Sequence, residues 1–200
     1  MTQVIAKTAI IHPNVTLGEN VIVEDYCIIG IPVPKGHAQA TTIGDNSIIR
    51  AGTYIYSGTH IGNNFQSGNK ANIRENNVIG NDVSIGTLSV IEHSTEINDN
   101  VRIHSQVFIP EFSKLHKNCW IGPNVVMTNA AYPNSPYAKA NLIGVIVHEN
   151  AKVGANTTIL PGVELGHGCL VGAGSVVTKD VNCATIVAGN PAIELRKIDY

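Results

Sequence analysis

The sequence predicts an all-β fold in which one chain winds into a regular coil of short strands. Two observations predict it. An aliphatic residue recurs every six positions over most of the 200 residues, and a second small or medium side chain recurs four positions after each aliphatic residue. A helix requires apolar residues every three or four positions, whereas even spacings keep a row of residues on one face of a strand. A fixed period of this kind is typical of a solenoid.

The aliphatic row gives the order of the elements. It runs from Ile5 to Ile29, continues from Ile43 to Met127 with one interruption at Ser67, and resumes from Val147 to Val177. The second row contains three of the four cysteines, which are Cys27, Cys119 and Cys169. Between the rows the turns are rich in Gly, Asn and Asp, which tolerate the left-handed backbone of a tight corner. The three cysteines are therefore interpreted as buried small side chains rather than disulfide or metal ligands.

Two insertions interrupt the coil and a tail follows it. Loops 30–42 and 133–146 come after hexads of the same class when hexads are counted in threes, so we expect both loops to leave the same corner. Loops on a rigid scaffold usually carry function, although surface decoration is the alternative. We assign residues 1–182 to the coil domain and residues 183–200 to a C-terminal tail that we expect to be partly helical.

Composition excludes several classes of function. The net formal charge is −2 and no basic cluster occurs, which argues against a nucleic-acid partner. No apolar run approaches the length of a transmembrane helix, and the first residues lack the pattern of a secretion signal. We therefore expect a cytoplasmic protein without membrane insertion. Cys183, beyond the repeat, is interpreted as structural as well.

The repeat resembles that of the hexapeptide-repeat acyltransferases, whose chains form a left-handed parallel β-helix with three hexads per coil. The resemblance covers nearly the whole chain and implies about nine coils, two protruding loops and a short tail. VRIHSQVFIPE and WIGPNVVMTNAAYPNSP resemble the branch that acylates the amino group of nucleotide-linked deoxysugars, such as dTDP-sugars for lipopolysaccharide O-antigen. The C-terminal GANTTILPGVELGHGCLVGAGSVVTKDV resembles the family segment associated with coenzyme A.

In one central stretch the turns depart from the regular turn sequence. The third turn position is Asn, Asp or Gly in most hexads but differs at Lys70, Leu88, Ser94, Gln106 and Phe112. A local departure without a folding reason often marks a functional site, and packing against another subunit is the alternative. The resemblance implies a homotrimer with active sites between subunits. In such a trimer the irregular turns could both pack against another subunit and belong to the functional site.

One imidazole projects from a column of glycines. His104 occupies the turn position that is Gly86 one coil earlier and Gly122 one coil later, which leaves room for a thin ligand. Glu111 follows seven residues later, near the next corner, and a histidine with a carboxylate nearby is the minimal set for general-base catalysis. A surface histidine without function is the alternative. Asn69 departs from the FQxGH stretch of many relatives and takes no proton at neutral pH, which shifts the role of base to His104.

The resemblance implies direct attack of the sugar amine on the thioester of acyl-CoA, with an acetyl or 3-hydroxyacyl group transferred and no metal required. Backbone N–H groups near Gly122 would stabilise the oxyanion. The amine can also lose its proton to solvent or to the leaving thiolate instead of His104.

The expected substrate-binding residues are Tyr56, Asn69, Arg74, Glu75, His93 and Ser94. The expected CoA-binding residues are Trp120, Gly122, Asn129, Gly154, Ala155, Gly172, Ala173, Lys179 and Arg196. We expect loop 30–42 to serve the nucleotide sugar and loop 133–146 to serve acyl-CoA.

Three other classes of function remain open. O-acetylation of a small sugar or amino acid is the nearest alternative. A γ-type carbonic anhydrase shares this helix but needs three zinc-binding histidines, two of them spaced HxxxxH, whereas His93 and His104 are eleven residues apart. A non-enzymatic solenoid such as an ice-binding protein would present a flat array of outward threonines, and the recurring threonines of this chain occupy inward positions.

Overall fold

The computed structural model describes residues 3–33 and 39–199, and it confirms an all-β solenoid of parallel strands. Each turn of the chain adds one short strand to each of three sheets, which we name A, B and C in the order the chain visits them. Strands are numbered in chain order. The architecture is consistent with a left-handed β-helix.

The three sheets have eleven, nine and eight strands in the described residues. Sheet A contains β1 (Val4–Ile5), β4 (Ile22–Val23), β7 (Ile48–Ile49), β10 (Gln66–Ser67), β13 (Ser84–Ile85), β16 (Arg102–Ile103), β19 (Trp120–Ile121), β22 (Lys152–Val153), β25 (Leu170–Val171), β27 (Thr185–Gly189) and β28 (Ala192–Lys197). Sheet B contains β2 (Ile10–Ile11), β5 (Ile28–Ile31), β8 (Tyr54–Tyr56), β11 (Asn72–Ile73), β14 (Val90–Ile91), β17 (Phe108–Ile109), β20 (Val126–Met127), β23 (Thr158–Ile159) and β26 (Val176–Val177). Sheet C contains β3 (Val15–Leu17), β6 (Thr41–Ile43), β9 (His60–Ile61), β12 (Val78–Ile79), β15 (Glu96–Ile97), β18 (Lys114–Leu115), β21 (Ile146–Val147) and β24 (Glu164–Leu165).

The parallel register stacks equivalent residues of successive turns. Ile85 pairs with Ile103, and Ile103 pairs with Ile121, so each aliphatic residue of the row lies above its counterpart in the previous turn. These side chains are buried, and Ile103 is 2 % exposed. Removal of this apolar surface from water is the main stabilisation of the solenoid. At the interruption, the buried Ser67 hydroxyl accepts the N–H of Arg50 at 2.9 Å and contacts the Thr53 hydroxyl at 3.1 Å, so its polarity is satisfied.

The corners carry most of the candidate site residues, and we name the corners by the sheets they join. In the middle of the prism, residues 104–107 form the A–B corner, residues 110–113 the B–C corner and residues 116–119 the C–A corner. The third turn residue is left-handed at regular corners, as at Asn100 (φ 59°), and equally at the five irregular positions, as at Leu88 (φ 58°). A side chain with a β-carbon makes this conformation cost about 1–2 kcal/mol. The irregular residues thus adopt the same strained turn without being Asn or Gly.

Both insertions leave the B–C corner, as the hexad count predicted, because β5 and β20 belong to sheet B and the strands that follow them belong to sheet C. Residues 34–38 of loop 30–42 lie outside the described residues. Loop 133–146 contains one turn of 3₁₀ helix, Ala138–Asn141, and its last residue already belongs to β21. No helix in the described ranges is long and apolar enough to cross a membrane.

The prediction of a partly helical tail is wrong. The tail forms an antiparallel hairpin of β27 and β28, and β27 pairs in parallel with β25. The open edge of sheet A offers unpaired backbone groups, and a strand satisfies them where a short helix would not. The hairpin extends the solenoid to about ten turns, against the nine predicted.

Candidate functional site

A cleft of about 340 Å³ lies on the A–B corner and includes His104. Its floor is formed by Gly68 and Gly86, and it extends from His104 towards the N-terminal turns. A β-carbon on Gly86 would overlap the backbone of His104, so the floor requires glycine there. The predicted strip of glycines next to one imidazole is therefore present, and Asn69 lines the same cleft.

His104 is held between a cation and an aromatic ring. Its Nε2 accepts a hydrogen bond from Nε of Arg102 at 3.2 Å, and its ring packs on Trp120 with centroids 4.6 Å apart. Partial burial, and then the positive charge of Arg102, lower the pKa of His104 below its ordinary value. The imidazole is thus mainly neutral at pH 7, with its proton on Nδ1 and its lone pair on Nε2.

Glu111 does not contact His104 within one chain. Its Oε1 lies 3.7 Å from Nε2 of His93, and its Oε2 accepts a hydrogen bond from Nδ2 of Asn129 at 2.7 Å. Seven residues of a hexad coil carry the chain across sheet B to the next corner, so Glu111 stands on the B–C corner while His104 stands on the A–B corner.

The B–C corner gathers most of the predicted substrate residues. Arg74 donates to Glu75 at 2.9 Å, lies 3.5 Å from Glu92, and stands over the Tyr56 ring at 5.0 Å. Burial raises the pKa of Glu75, but hydrogen bonds and the charge of Arg74 outweigh it and hold that pKa below its usual value. His93 contacts the hydroxyl of Ser94 at 3.2 Å. The corner therefore presents a chain of polar and charged groups beside both loops.

The predicted CoA residues do not form one group. Gly122, Gly154 and Gly172 continue the glycine column above His104, with Ala155 and Ala173 beside them. Asn129 lies instead with Glu111 on the B–C corner. Lys179 lines a separate cavity of about 180 Å³ near the tail, and Arg196 on β28 pairs with Asp199 at 3.2 Å.

Among the backbone N–H groups near Gly122, that of Gly122 itself is already hydrogen-bonded. Its N–H already donates to the carbonyl of Val153 at 2.8 Å in the sheet ladder. The N–H of Ser105, which follows His104 and lines the cleft, has no acceptor among the described residues, because the residue above it is Pro123. Ser105 therefore offers the donor that Gly122 does not.

Sequence reasoning missed two arginines of the cleft, Arg50 and Arg102. Arg50 belongs to the column of Gly68, Gly86 and His104, each 18 residues apart, so the period would have found it. It also missed a cluster on the C–A corner, where the rings of His116 and His148 stack at 5.3 Å. Across the described part of the chain, no group of three or more His, Cys, Asp or Glu is arranged to hold a metal ion.

Comparison with known proteins identifies the repeats. Residues 78–111 and 144–179 match the family described as bacterial transferase hexapeptide (six repeats), and residues 40–57 match the hexapeptide repeat of succinyl-transferase. The bifunctional protein GlmU of Clostridium kluyveri is 30% identical over 178 residues, which is 88% of this chain and 36% of that protein. The galactoside O-acetyltransferase of Lactococcus lactis is 38% identical over 86 residues, 39% of this chain and 40% of that protein. The chain thus spans less than half the length of these two relatives.

Solved structures share the fold at low identity. The N-acyltransferase AntD from Bacillus cereus, in complex with dTDP and coenzyme A, is 18% identical, with 81% of this chain and 85% of that chain covered and a TM-score of 0.54. The UDP-N-acetylglucosamine acyltransferase of Francisella novicida is 17% identical, with 96% and 69% covered and a TM-score of 0.53. The fold is thus a parallel β-solenoid with a histidine cleft on one corner. The matches to its repeats support the hexapeptide-repeat acyltransferase family.

Proposed function

We propose that the protein is an acyl-CoA-dependent N-acyltransferase, which moves an acetyl or 3-hydroxyacyl group to the amino group of a nucleotide-linked amino-deoxysugar. One observation carries the proposal: the imidazole of His104 stands at one end of a cleft whose floor is glycine, where burial and Arg102 lower its pKa. The family matches favour acyl transfer. The relatives of the chain include an enzyme named as an N-acetyltransferase, from Staphylococcus aureus, which is 40% identical over 76 residues, 38% of this chain and 29% of that protein.

The reaction proceeds by direct attack. The unprotonated sugar amine forms a bond to the thioester carbonyl carbon, and the proton that the amine then loses passes to Nε2 of His104. The tetrahedral intermediate collapses, the carbon–sulfur bond breaks, and coenzyme A leaves as a thiolate. This thiolate takes up the proton held on Nε2 of His104, which returns the imidazole to its neutral form. Burial raises the pKa of Cys119 and of Cys169 to about 12, so neither is a thiolate nucleophile at neutral pH, which favours direct attack.

The oxyanion of the intermediate needs a donor close to His104. We assign this role to the N–H of Ser105, because Ser105 lines the cleft and its N–H is not used by the sheet ladder. A backbone donor of this kind is fixed in place before the reaction, which is the condition for effective stabilisation of developing charge.

The site is completed by a second copy of the chain. The outward face of sheet B is apolar, with Tyr54 41% exposed and Val126 40% exposed, and Leu88 and Phe112 are exposed on the two corners that flank it. A homotrimer packed through this face would bring the A–B corner of one subunit next to the B–C corner of the next. His104 of one subunit would then lie near Glu111 of the partner subunit, which restores the expected pair between chains.

The two loops divide the substrates. Loop 30–42 serves the nucleotide sugar and loop 133–146 serves acyl-CoA, because the first leaves the N-terminal turns and the second leaves the turns that carry the general family segment. The groups of the B–C corner around Arg74 lie between the two exits and contact the acceptor.

Product analysis tests this function. The protein is incubated with acetyl-CoA or hydroxybutyryl-CoA and a panel of nucleotide-linked amino sugars, and each product is identified by mass spectrometry. The matched control is the same nucleotide sugar with a hydroxyl in place of the amine. We expect an alkali-stable amide from the amino sugar only. An ester from the hydroxyl sugar would favour the second candidate, an O-acetyltransferase, which the galactoside O-acetyltransferase match supports.

A further inference from the structure

The cleft on the A–B corner contains two guanidinium groups that the proposed reaction does not use. Arg50 lies three turns below His104, which is about 14 Å at the usual strand spacing. Arg102 lies next to His104. No carboxylate lines the cleft among the described residues. The carboxylate that neutralises one charge, Glu24, bonds Nη1 of Arg50 at 2.6 Å from outside the cleft. The cleft is therefore positively charged and has a floor of glycine.

We propose that Arg50 and Arg102 bind the diphosphate of the nucleotide-linked acceptor in this cleft, and that Arg102 covers Nε2 of His104 until that diphosphate is bound. The inference rests on the proposed function for the identity of the acceptor. Guanidinium groups present paired donors that match the geometry of phosphate oxygens. Because the glycines of the floor have no side chains, the cleft has room for an extended diphosphate.

The shape of the cleft distinguishes the acceptor from coenzyme A, which also carries a diphosphate. The lining residues belong to the turns from Arg50 to Ser105, and the turns above His104 do not contribute. Trp120 closes the upper side, because its ring packs on the imidazole. A diphosphate in the cleft therefore lies on the side opposite the turns of the family segment associated with coenzyme A, which begins at Gly154.

The contact between Arg102 and His104 links binding to the state of the base. Nε of Arg102 donates to the same nitrogen that must accept the proton, so this hydrogen bond and proton transfer to Nε2 exclude each other. A diphosphate that attracts the guanidinium releases Nε2 and offsets the positive charge beside it. The charged groups that face the imidazole in the described chain are Arg102 on its own strand and Arg50 at the far end of the cleft, while the packed neighbour Trp120 is uncharged.

Ligand titrations followed by NMR of ¹⁵N-labelled histidine test the inference without any acyl transfer. The probes are inorganic pyrophosphate, dTDP, UDP and coenzyme A, and the variants are Arg102→Gln, Arg50→Lys and the control Lys114→Gln, an exposed cation on sheet C that pairs with Glu96 at 3.0 Å. We expect pyrophosphate and at least one nucleoside diphosphate to raise the pKa of His104. Arg102→Gln should weaken that binding about tenfold or more, and Lys114→Gln should leave it within twofold.

The outcomes separate the possibilities. Equal affinity of the native protein and both arginine variants for pyrophosphate and the nucleotides would overturn the site. If coenzyme A alone changes the pKa of His104, and this change is lost in Arg102→Gln, the assignment of the cleft to the diphosphate of the acceptor is wrong. Arg50→Lys keeps a cation for Glu24 but loses the guanidinium fork, so weaker binding with an unchanged melting temperature supports a role in binding rather than in folding. Failure of the proposed acyl transfer would leave these binding results standing.

Discussion

Nε2 of His93 lies 3.7 Å from Oε1 of Glu111 on the B–C corner. This histidine and this carboxylate come from successive turns of one column, so their proximity follows directly from the 18-residue coil. The pair stands one corner away from His104, the proposed base, and only a neighbouring subunit would bring the two groups together. Glu111 can therefore act through His93 of its own subunit or directly on the site of the next.

A double-mutant cycle distinguishes these two roles of Glu111. We expect Glu111→Gln to lower kcat, but less than loss of His104 does, because it removes an orienting charge and not the proton acceptor. If Glu111 acts through His93, the loss in Glu111→Gln/His93→Gln will equal that of the stronger single variant, since contacting residues are not additive. His60→Gln, an outward histidine on sheet C that contacts Thr42, is the control and should keep native kcat. Fully additive losses would show that the two side chains act independently.

The outward face of sheet B is predicted to hold the trimer together. Val126→Asp places an unpaired charge on this apolar face and should dissociate the protein to monomers. Val78→Asp makes the same change on sheet C, where the side chain is 55% exposed, and should leave the trimer intact. Light scattering at micromolar concentration measures both. A native protein that is monomeric under these conditions would refute the assembly, and an unchanged trimer in Val126→Asp would refute the choice of face.

The loops are predicted to separate the two substrates kinetically. Deletion of residues 134–141 should raise the KM for acyl-CoA while the affinity for the nucleotide sugar stays within about threefold, or roughly 0.6 kcal/mol. Deletion of residues 35–40 should do the reverse, and each deletion serves as the control for the other. Equal weakening of both substrates by either deletion, or effects in the opposite sense, would contradict the assignment.

The four cysteines are predicted to differ sharply in reactivity. Cys27, Cys119 and Cys169 are buried and Cys183 is exposed. Burial raises the pKa of all three buried thiols, so almost no thiolate is present at pH 8 to attack a disulfide reagent. Titration of the native protein with Ellman's reagent should release one equivalent quickly and the remaining three only after denaturation. Rapid reaction of a second thiol would indicate an opening of the core that the fold does not predict.

The hexad period predicted what depends on the coil alone. The buried rows, the three-sheet register and the shared corner of the two loops all follow from counting residues in sixes and threes. Distances between side chains on different corners do not follow from it, so the separation of His104 and Glu111 within one chain required the structure.

The tail and the cleft show two further limits of the sequence. The hairpin of β27 and β28 forms because sheet A has an open edge, and that edge exists only in the folded chain. Arg50 and Arg102 lie 52 positions apart yet line one cleft, since one is a turn residue and the other an outward strand residue of the same side. The 18-residue period places Arg50 in the column of His104. The position of the long Arg102 side chain could be known only from the structure.

The rate of acyl transfer as a function of pH, measured for the native protein and for His104→Ala, tests the central claim most directly. The base acts in its neutral form, and burial together with Arg102 lowers the pKa of His104. At limiting acceptor concentration, where kcat/KM reports the groups of the free enzyme, the native kcat/KM should therefore fall only as the pH drops below about 6.5, the ordinary value for histidine. His104→Ala should lose about 100- to 10,000-fold in kcat and keep native affinity for coenzyme A. Native turnover in the variant from pH 6 to 9 would contradict the account.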